Sequence, residues 1–118
     1  MSLVSNQINY VEFAAADLTI TKQFFEQVFG WSFTDFGPDY TAFDNSGLMG
    51  GFYRADMSAQ TATGSALIVL YHEDLNACLL AIQSHGGNIV KDIFEFPGGR
   101  RFHFTEPSGN ELAVWSDK

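Results

Sequence analysis

The chain repeats its own punctuation. Asp17 and Asp74, Leu18 and Leu75, Gly30 and Gly87, and Asp35 and Asp92 stand at one constant interval, so residues 11–30 and 68–87 follow a single scheme. The later landmarks Gly47 and Gly109 stand further apart by about five residues, an excess that a loop absorbs at small entropic cost. Half of a 118-residue chain is too small to bury a core alone, so the halves must pack on each other or on a second chain. Two copies of one plan also give two equivalent surfaces, and the space between them is where a function is to be sought.

In the first copy, residues 8–14 read as a strand, with Ile8, Tyr10, Glu12 and Ala14 on one face and Val11 and Phe13 on the other. Asp17 offers an N-cap, and Ile20, Phe24 and Val28 then recur at helical spacing, with Phe25 and Phe29 widening the stripe. Gly30 suits the left-handed residue that ends a helix, which predicts a helix over 18–29. Three strands follow at 31–36, 40–43 and 48–53, separated by turns at 37–39 and 44–47. The second copy repeats this order. A strand at 65–71 leads to the Asp74 cap and a helix striped by Leu75, Cys78, Leu79 and Ile82, which Gly86-Gly87 closes. Strands at 88–96, 100–105 and 111–116 complete it. The reading is one domain over 1–118, made of a first βαβββ unit at about 6–53, a linker at about 54–64 and a second unit at about 65–117.

An apolar content of 46%, including twelve Phe, supplies ample core material. Six Lys and Arg against fourteen Asp and Glu give a net charge of −8, which repels phosphate backbones and anionic bilayers and argues against nucleic-acid or membrane partners. No apolar run approaches the roughly 20 residues of a spanning helix, and residues 1–6 lack the basic flank of a secretion signal, so a cytoplasmic location is expected. The lone Cys78 has no partner for an internal disulfide and its place on an apolar stripe reads as a core thiol. The glycine pairs at 50–51 and 98–99 open no helix and read as bends, and no Gly-x-Ser-x-Gly nucleophile motif is present.

Two segments carry a resemblance. Phe24-Phe25-Glu26-Gln27-Val28-Phe29-Gly30-Trp31 resembles the helix end of the vicinal oxygen chelate superfamily, which holds glyoxalase I, extradiol dioxygenases and the fosfomycin- and bleomycin-resistance proteins. The stretch from Arg101 through Thr105-Glu106-Pro107-Ser108-Gly109-Asn110 to Leu112 is similar to that family's last hairpin. The resemblance implies an α+β fold in which two tandem βαβββ units form a curved eight-stranded sheet around a cavity, often completed by a homodimer. In metal-using members it further implies one ligand seven residues before each capping Asp and one four residues after each turn Gly. Those positions are Tyr10, Leu67, Gly51 and Ala113 here. Three of them bring no donor atom, and a lone phenol is a poor ligand for a divalent ion, so no metal and no other cofactor is expected at that place.

Strand alternation extends the candidate cavity to Tyr10, Glu12, Met49, Tyr53, Leu67, Val69, Tyr71, Glu111 and Trp115, with Arg101, His103 and Thr105 facing inward from the neighbouring strand. Tyr10, Tyr53, Tyr71 and Trp115 offer rings to stack on a planar ligand, or else simply fill an interior. Glu12, a carboxylate within an apolar strand, must reach water or pair with Arg101 or His103. His103 beside Arg101 joins a titratable group to an anion anchor. His72 and His85 read as surface residues.

Three functions follow from these residues. The leading one is a metal-independent small-molecule binding protein of the glyoxalase/bleomycin-resistance type, with its ligand in an aromatic cavity. The second is a lyase or isomerase in which Glu12 or His103 moves a proton, or, less favoured, a metal enzyme with the shifted ligands Glu12, His103 and Glu111. The third, a partner-binding or assembly module, predicts a closed interior plugged by Tyr10, Tyr71 and Trp115.

Overall fold

The computed structural model describes residues 3–118. The first unit runs β1 (Tyr10–Ala15), α1 (Leu18–Phe29), β2 (Ser32–Asp35), β3 (Tyr40–Asp44) and β4 (Met49–Arg54). The second runs β5 (Ile68–Tyr71), α2 (Leu75–Ser84), β6 (Asn88–Phe96), β7 (Gly99–Thr105) and β8 (Glu111–Ser116). Each unit is a four-stranded mixed sheet, ordered β1-β4-β3-β2 and β5-β8-β7-β6, so the tandem βαβββ plan is present. In both, the helix carries the chain across so that the first strand pairs in parallel with the last, while the other three strands form an antiparallel meander. The eight strands stay in two sheets that do not close on each other, with β1 and β5 both left as edges.

The duplicated punctuation has duplicated geometry. The Asp17 carboxylate accepts from the Ile20 backbone N–H and that of Asp74 from Ala77, both at 3.1 Å. The last turn of each unit places Gly47 and Gly109 at φ 86° and 97°, where a Cβ is disfavoured. The helix ends diverge. Gly30 is left-handed at φ 72°, but in the second unit that role falls to Gly86 at φ 94°. Gly87 is kept small for another reason, since a Cβ there would lie 2.5 Å from Ile82 Cγ2 and 3.1 Å from the Phe24 ring.

One core serves both units. Phe13, Phe43 and Phe52 from the first sheet join Phe102, Phe104, Leu112 and Val114 from the second, with Phe24 and Phe25 of α1 and Leu75, Cys78 and Ile82 of α2 among them. The aromatic run of α1 explains the join: Phe25 stacks on Trp31 at 4.4 Å, while Phe24 and Phe29 each reach Phe104 at 6.0 Å. Burial pushes the Cys78 thiol up to about 12, which leaves it unreactive.

The units are also joined by polar groups in the second unit's last turn. Glu106 and Asn110 are fully buried there. Glu106 accepts from the Thr21 hydroxyl and the Ser108 N–H at 2.7 Å and from Asn110 Nδ2 at 2.6 Å. Asn110 Nδ2 also donates to the Ala14 carbonyl at 2.7 Å, and its Oδ1 accepts from the Ala59 N–H at 2.8 Å. The expected linker is thereby tied down, with a short 3-10 turn at Thr61–Thr63.

Candidate functional site

The residues singled out in the sequence lie on two separate surfaces. Phe13, Phe43 and Phe52 commit one face of the first sheet to the core, which turns Tyr10, Glu12 and Gly51 to the other side. Phe102, Phe104 and Val114 do the same in the second sheet, turning His103, Arg101, Glu111 and Trp115 outward. Each polar face is thus the one its sheet presents away from the shared core. Among the described residues no hydrogen bond or ion pair links Glu12 to His103 or Arg101.

On the first sheet, parallel register sets Tyr10 opposite Met49 and Glu12 opposite Gly51, while antiparallel register sets Tyr40 opposite Tyr53. The Tyr10 and Tyr40 hydroxyls meet at 2.5 Å, and Tyr40 donates to Glu12 at 2.9 Å. Burial raises the Tyr40 phenol above its ordinary range, and the bonds to Tyr10 and Glu12 raise it further. Tyr40 was missed in the sequence because it stands at a strand start, beyond the resemblance. Its strand partner Tyr53, on the same face, was the available signal. A Cβ at Gly51 would sit 2.2 Å from the Tyr40 hydroxyl and 2.8 Å from that of Tyr10, so the phenols occupy the volume a ligating side chain would need.

On the second sheet, His103 faces Ala113 and Arg101 faces Trp115. His103 is 6% exposed, and its Nδ1 lies 3.1 Å from Glu111 Oε2. Burial alone would raise the Glu111 carboxyl, but the Thr61 N–H and His103 hold it below its usual range. The ionised carboxylate fixes the proton on Nδ1. Among the described residues His103 Nε2 and Arg101 Nε are buried without a partner. Above them Phe94 lies 5.9 Å from the His103 ring and 5.3 Å from Arg101 Cζ. A groove of about 490 Å³ opens beside His103, lined also by Gln60, Thr61, Lys91, Thr105 and Glu111.

Tyr71, the register partner of Trp115, belongs to the second face and sits with Leu67 at its β5 edge. Together with Val11, Phe13 and Trp31 they line a groove of about 710 Å³ where the β5 edge approaches the core side of the first unit. Tyr71 is half exposed, donating to Asp117 at 2.6 Å and meeting Trp115 edge-on at 5.3 Å. Tyr10 is 41% exposed, so neither tyrosine plugs a closed interior in the chain.

The four positions that carry metal in metal-using relatives do not suit one here. Tyr10 is engaged by Tyr40, and Gly51, Leu67 and Ala113 have no donor. The shifted set of Glu12, His103 and Glu111 does not converge either, and among the described residues no three His, Cys, Asp or Glu side chains gather as a metal requires.

Two βαβββ units with matching caps, matching last turns and outward polar faces define a glyoxalase-type protein. The chain belongs to the Glyoxalase/Bleomycin resistance protein/Dioxygenase superfamily, whose family model matches residues 7–114. Among solved structures it is similar to a family enzyme from Burkholderia phytofirmans PsJN, with a TM-score of 0.78 and 14% identity over 93% of this chain and 98% of that one. It is likewise similar to the fosfomycin resistance protein FosX from Listeria monocytogenes, with a TM-score of 0.78 and 15% identity over 97% and 94%. A lactoylglutathione lyase from Agrobacterium tumefaciens follows with a TM-score of 0.71 and 17% identity over 94% and 93%. At these identities the likeness establishes the fold alone. No curated protein matches in sequence. No helix among the described residues is long and apolar enough to cross a membrane.

Proposed function

We propose that the chain is a metal-independent small-molecule binding protein whose cavity is assembled between two copies. The observation that carries this reading is the Tyr10–Tyr40 pair, which fills the space beside Gly51 where a metal-using relative would place a ligand. It leaves an aromatic, hydrogen-bonding surface with Glu12 at its edge. The second half of a cavity, with Trp115, Arg101, His103 and Glu111, is turned away from the same core, so a site using both halves draws them from different chains. A homodimer in which the first unit of one copy faces the second unit of the other supplies two such sites.

The test begins with protein dialysed against a chelator and a thermal-shift screen of planar aromatic compounds. A compound at a hundredfold excess over its Kd stabilises by about 2.7 kcal/mol. Stabilisation that appears only after Zn²⁺ or Ni²⁺ is restored overturns the metal-independent reading. With a binding compound in hand, mixed dimers test the assembly. Tyr10→Ala and His103→Ala homodimers each damage both sites, whereas a mixed dimer regains one intact site if sites are shared between chains. No recovery on mixing means each site lies within one chain.

A second reading is favoured by the His103–Glu111 pair, because a carboxylate that orients an imidazole leaves Nε2 as a base. On an α-hydroxycarbonyl substrate, a proton would pass from the hydroxyl-bearing carbon to Nε2, the C–H electron pair would form the enediolate C=C bond, the hydroxyl proton would move to the former carbonyl oxygen, and Nε2 would return its proton to the former carbonyl carbon, exchanging the carbonyl and hydroxyl positions. Glu12, bonded to Tyr40 on the other sheet, would serve from the partner chain. Exchange of substrate C–H protons into D₂O at wild-type rate in His103→Gln and Glu12→Gln variants would exclude it.

A further inference from the structure

Among the described residues the second sheet holds two polar side-chain atoms without a partner. His103 Nε2 and Arg101 Nε are buried with no hydrogen bond there, although leaving such groups dry is costly and native proteins rarely do so without cause. Both stand on β7, separated by one residue and therefore on one face. Lys91 is the register partner of His103 on β6, so three nitrogen-bearing side chains collect at one corner.

Two cations share this corner. In a chain of net charge −8, Lys22 pairs with Asp35 and Arg54 with Asp39, while among the described residues Lys91, Arg100, Arg101 and Lys118 have no carboxylate partner. Lys91 and Arg101 rest against the Phe94 ring, at 4.7 Å and 5.3 Å. Glu111, the carboxylate that lines the groove, is already engaged by His103 Nδ1 and by the Thr61 N–H and hydroxyl. Because Nδ1 donates to Glu111, Nε2 can donate in turn only as the imidazolium, a form that an anion beside it favours.

Resting on the ligand-cavity reading above, we propose that His103, Arg101 and Lys91 bind the anionic oxygen group, carboxylate or phosphoryl, of an aromatic ligand. Phe94 covers this subsite when it is empty. Its strand permits movement, because the β6–β7 register shifts on both sides of Lys91 and the stretch carrying Lys91 to Phe94 is not pinned by a regular ladder. On binding, the ring swings off Nε2 and packs against the ligand, and the anion gives the two unsatisfied nitrogens their partner.

Benzoate, phenyl phosphate and the neutral isostere benzamide are the probes. Imidazole ¹⁵N spectra and the melting temperature are recorded during titration of the full chain. The proposal expects benzoate or phenyl phosphate to move the His103 Nε2 resonance and raise Tm, with benzamide doing neither, and the preferred anion identifies the group. Lys91→Gln, at an exposed position that leaves folding intact, should weaken the anion severalfold, and Arg101→Gln about tenfold or more. Benzamide binding as well as benzoate overturns the anion subsite while leaving the aromatic cavity standing. An unmoved His103 resonance with both anions, alongside a Tm shift that Tyr10→Ala abolishes, does the same. If no planar aromatic compound binds at all, both readings fall.

Discussion

The two units share a backbone plan and differ in what they do with it. In the first, the outward face is phenolic, built on Tyr10, Tyr40 and Tyr53 with Glu12, and the last turn, with Asp44 and Asn45, is exposed. In the second, the outward face is nitrogen-rich, with His103, Arg101 and Lys91, and the last turn is buried as Glu106 and Asn110 clasp the first unit. The duplication therefore preserves what folding needs from each half: an N-cap, a helix stripe and a left-handed turn glycine. Positions that do not serve the core were free to take opposite chemistry.

The strongest challenge to this contrast is at the turns. Asn110→Ala strips partners from the buried Ala14 carbonyl and Glu106 and from the part-buried Ala59 N–H, and should cost about 3 kcal/mol in urea unfolding. Asn45→Ala, in the equivalent turn of the first unit, loses one exposed bond to the Gly30 carbonyl and puts Ala in left-handed backbone at φ 58°, and should cost about 1 kcal/mol. Equal losses would erase the asymmetry.

On the phenolic face, Gly51→Ala forces a methyl against the two hydroxyls and should destabilise by about 2 kcal/mol. Its spectral readout is separate. In an ultraviolet titration of the wild type, Tyr40 should ionise above the ordinary phenol range. Tyr10→Phe should bring it down, because the bond to Tyr10 contributes to the rise.

The clasp carries a pH signature. Burial raises the Glu106 carboxyl, against bonds from Ser108, Thr21 and Asn110 that lower it. The folded chain therefore holds a proton that the unfolded chain has released, and stability falls as pH rises from the ordinary carboxylate range through the raised value. Glu106→Gln should remove this slope from the pH dependence of the urea midpoint, and a slope unchanged in the variant would assign it to other carboxyls.

The smallest effects should be the most alike. Asp17→Ala and Asp74→Ala should each cost about 1 kcal/mol, because each removes one cap bond of the same length. A large difference would show that the units are not equivalent even in their frame.

The parts of this fold that were legible in the sequence are those set by local chemistry. The Asp17 cap and the left-handed Gly30 bounded α1 at Leu18–Phe29 because both act within one turn of their own residue. Strand alternation likewise assigned Phe102 and Phe104 to the core and His103 to the other face. Local signals were weaker where packing decides: β5 is shortened to Ile68–Tyr71 because residues 65–67 find no ladder partner, and of the Gly86-Gly87 pair that closes α2 only Gly86 is left-handed, while Gly87 is held to glycine by the close approach of Ile82 and Phe24. The missing donors at Gly51, Leu67 and Ala113 could be read from residue type alone, since no arrangement gives glycine, leucine or alanine a metal-binding side chain. The tertiary structure alone decided that Tyr40 fills the space beside Gly51, that Glu111 rather than Glu12 holds His103, and that the two polar faces turn away from one core. Those outcomes depend on contacts between strands and units far apart along the chain, and periodicity assigns a residue to a face without saying what that face will meet.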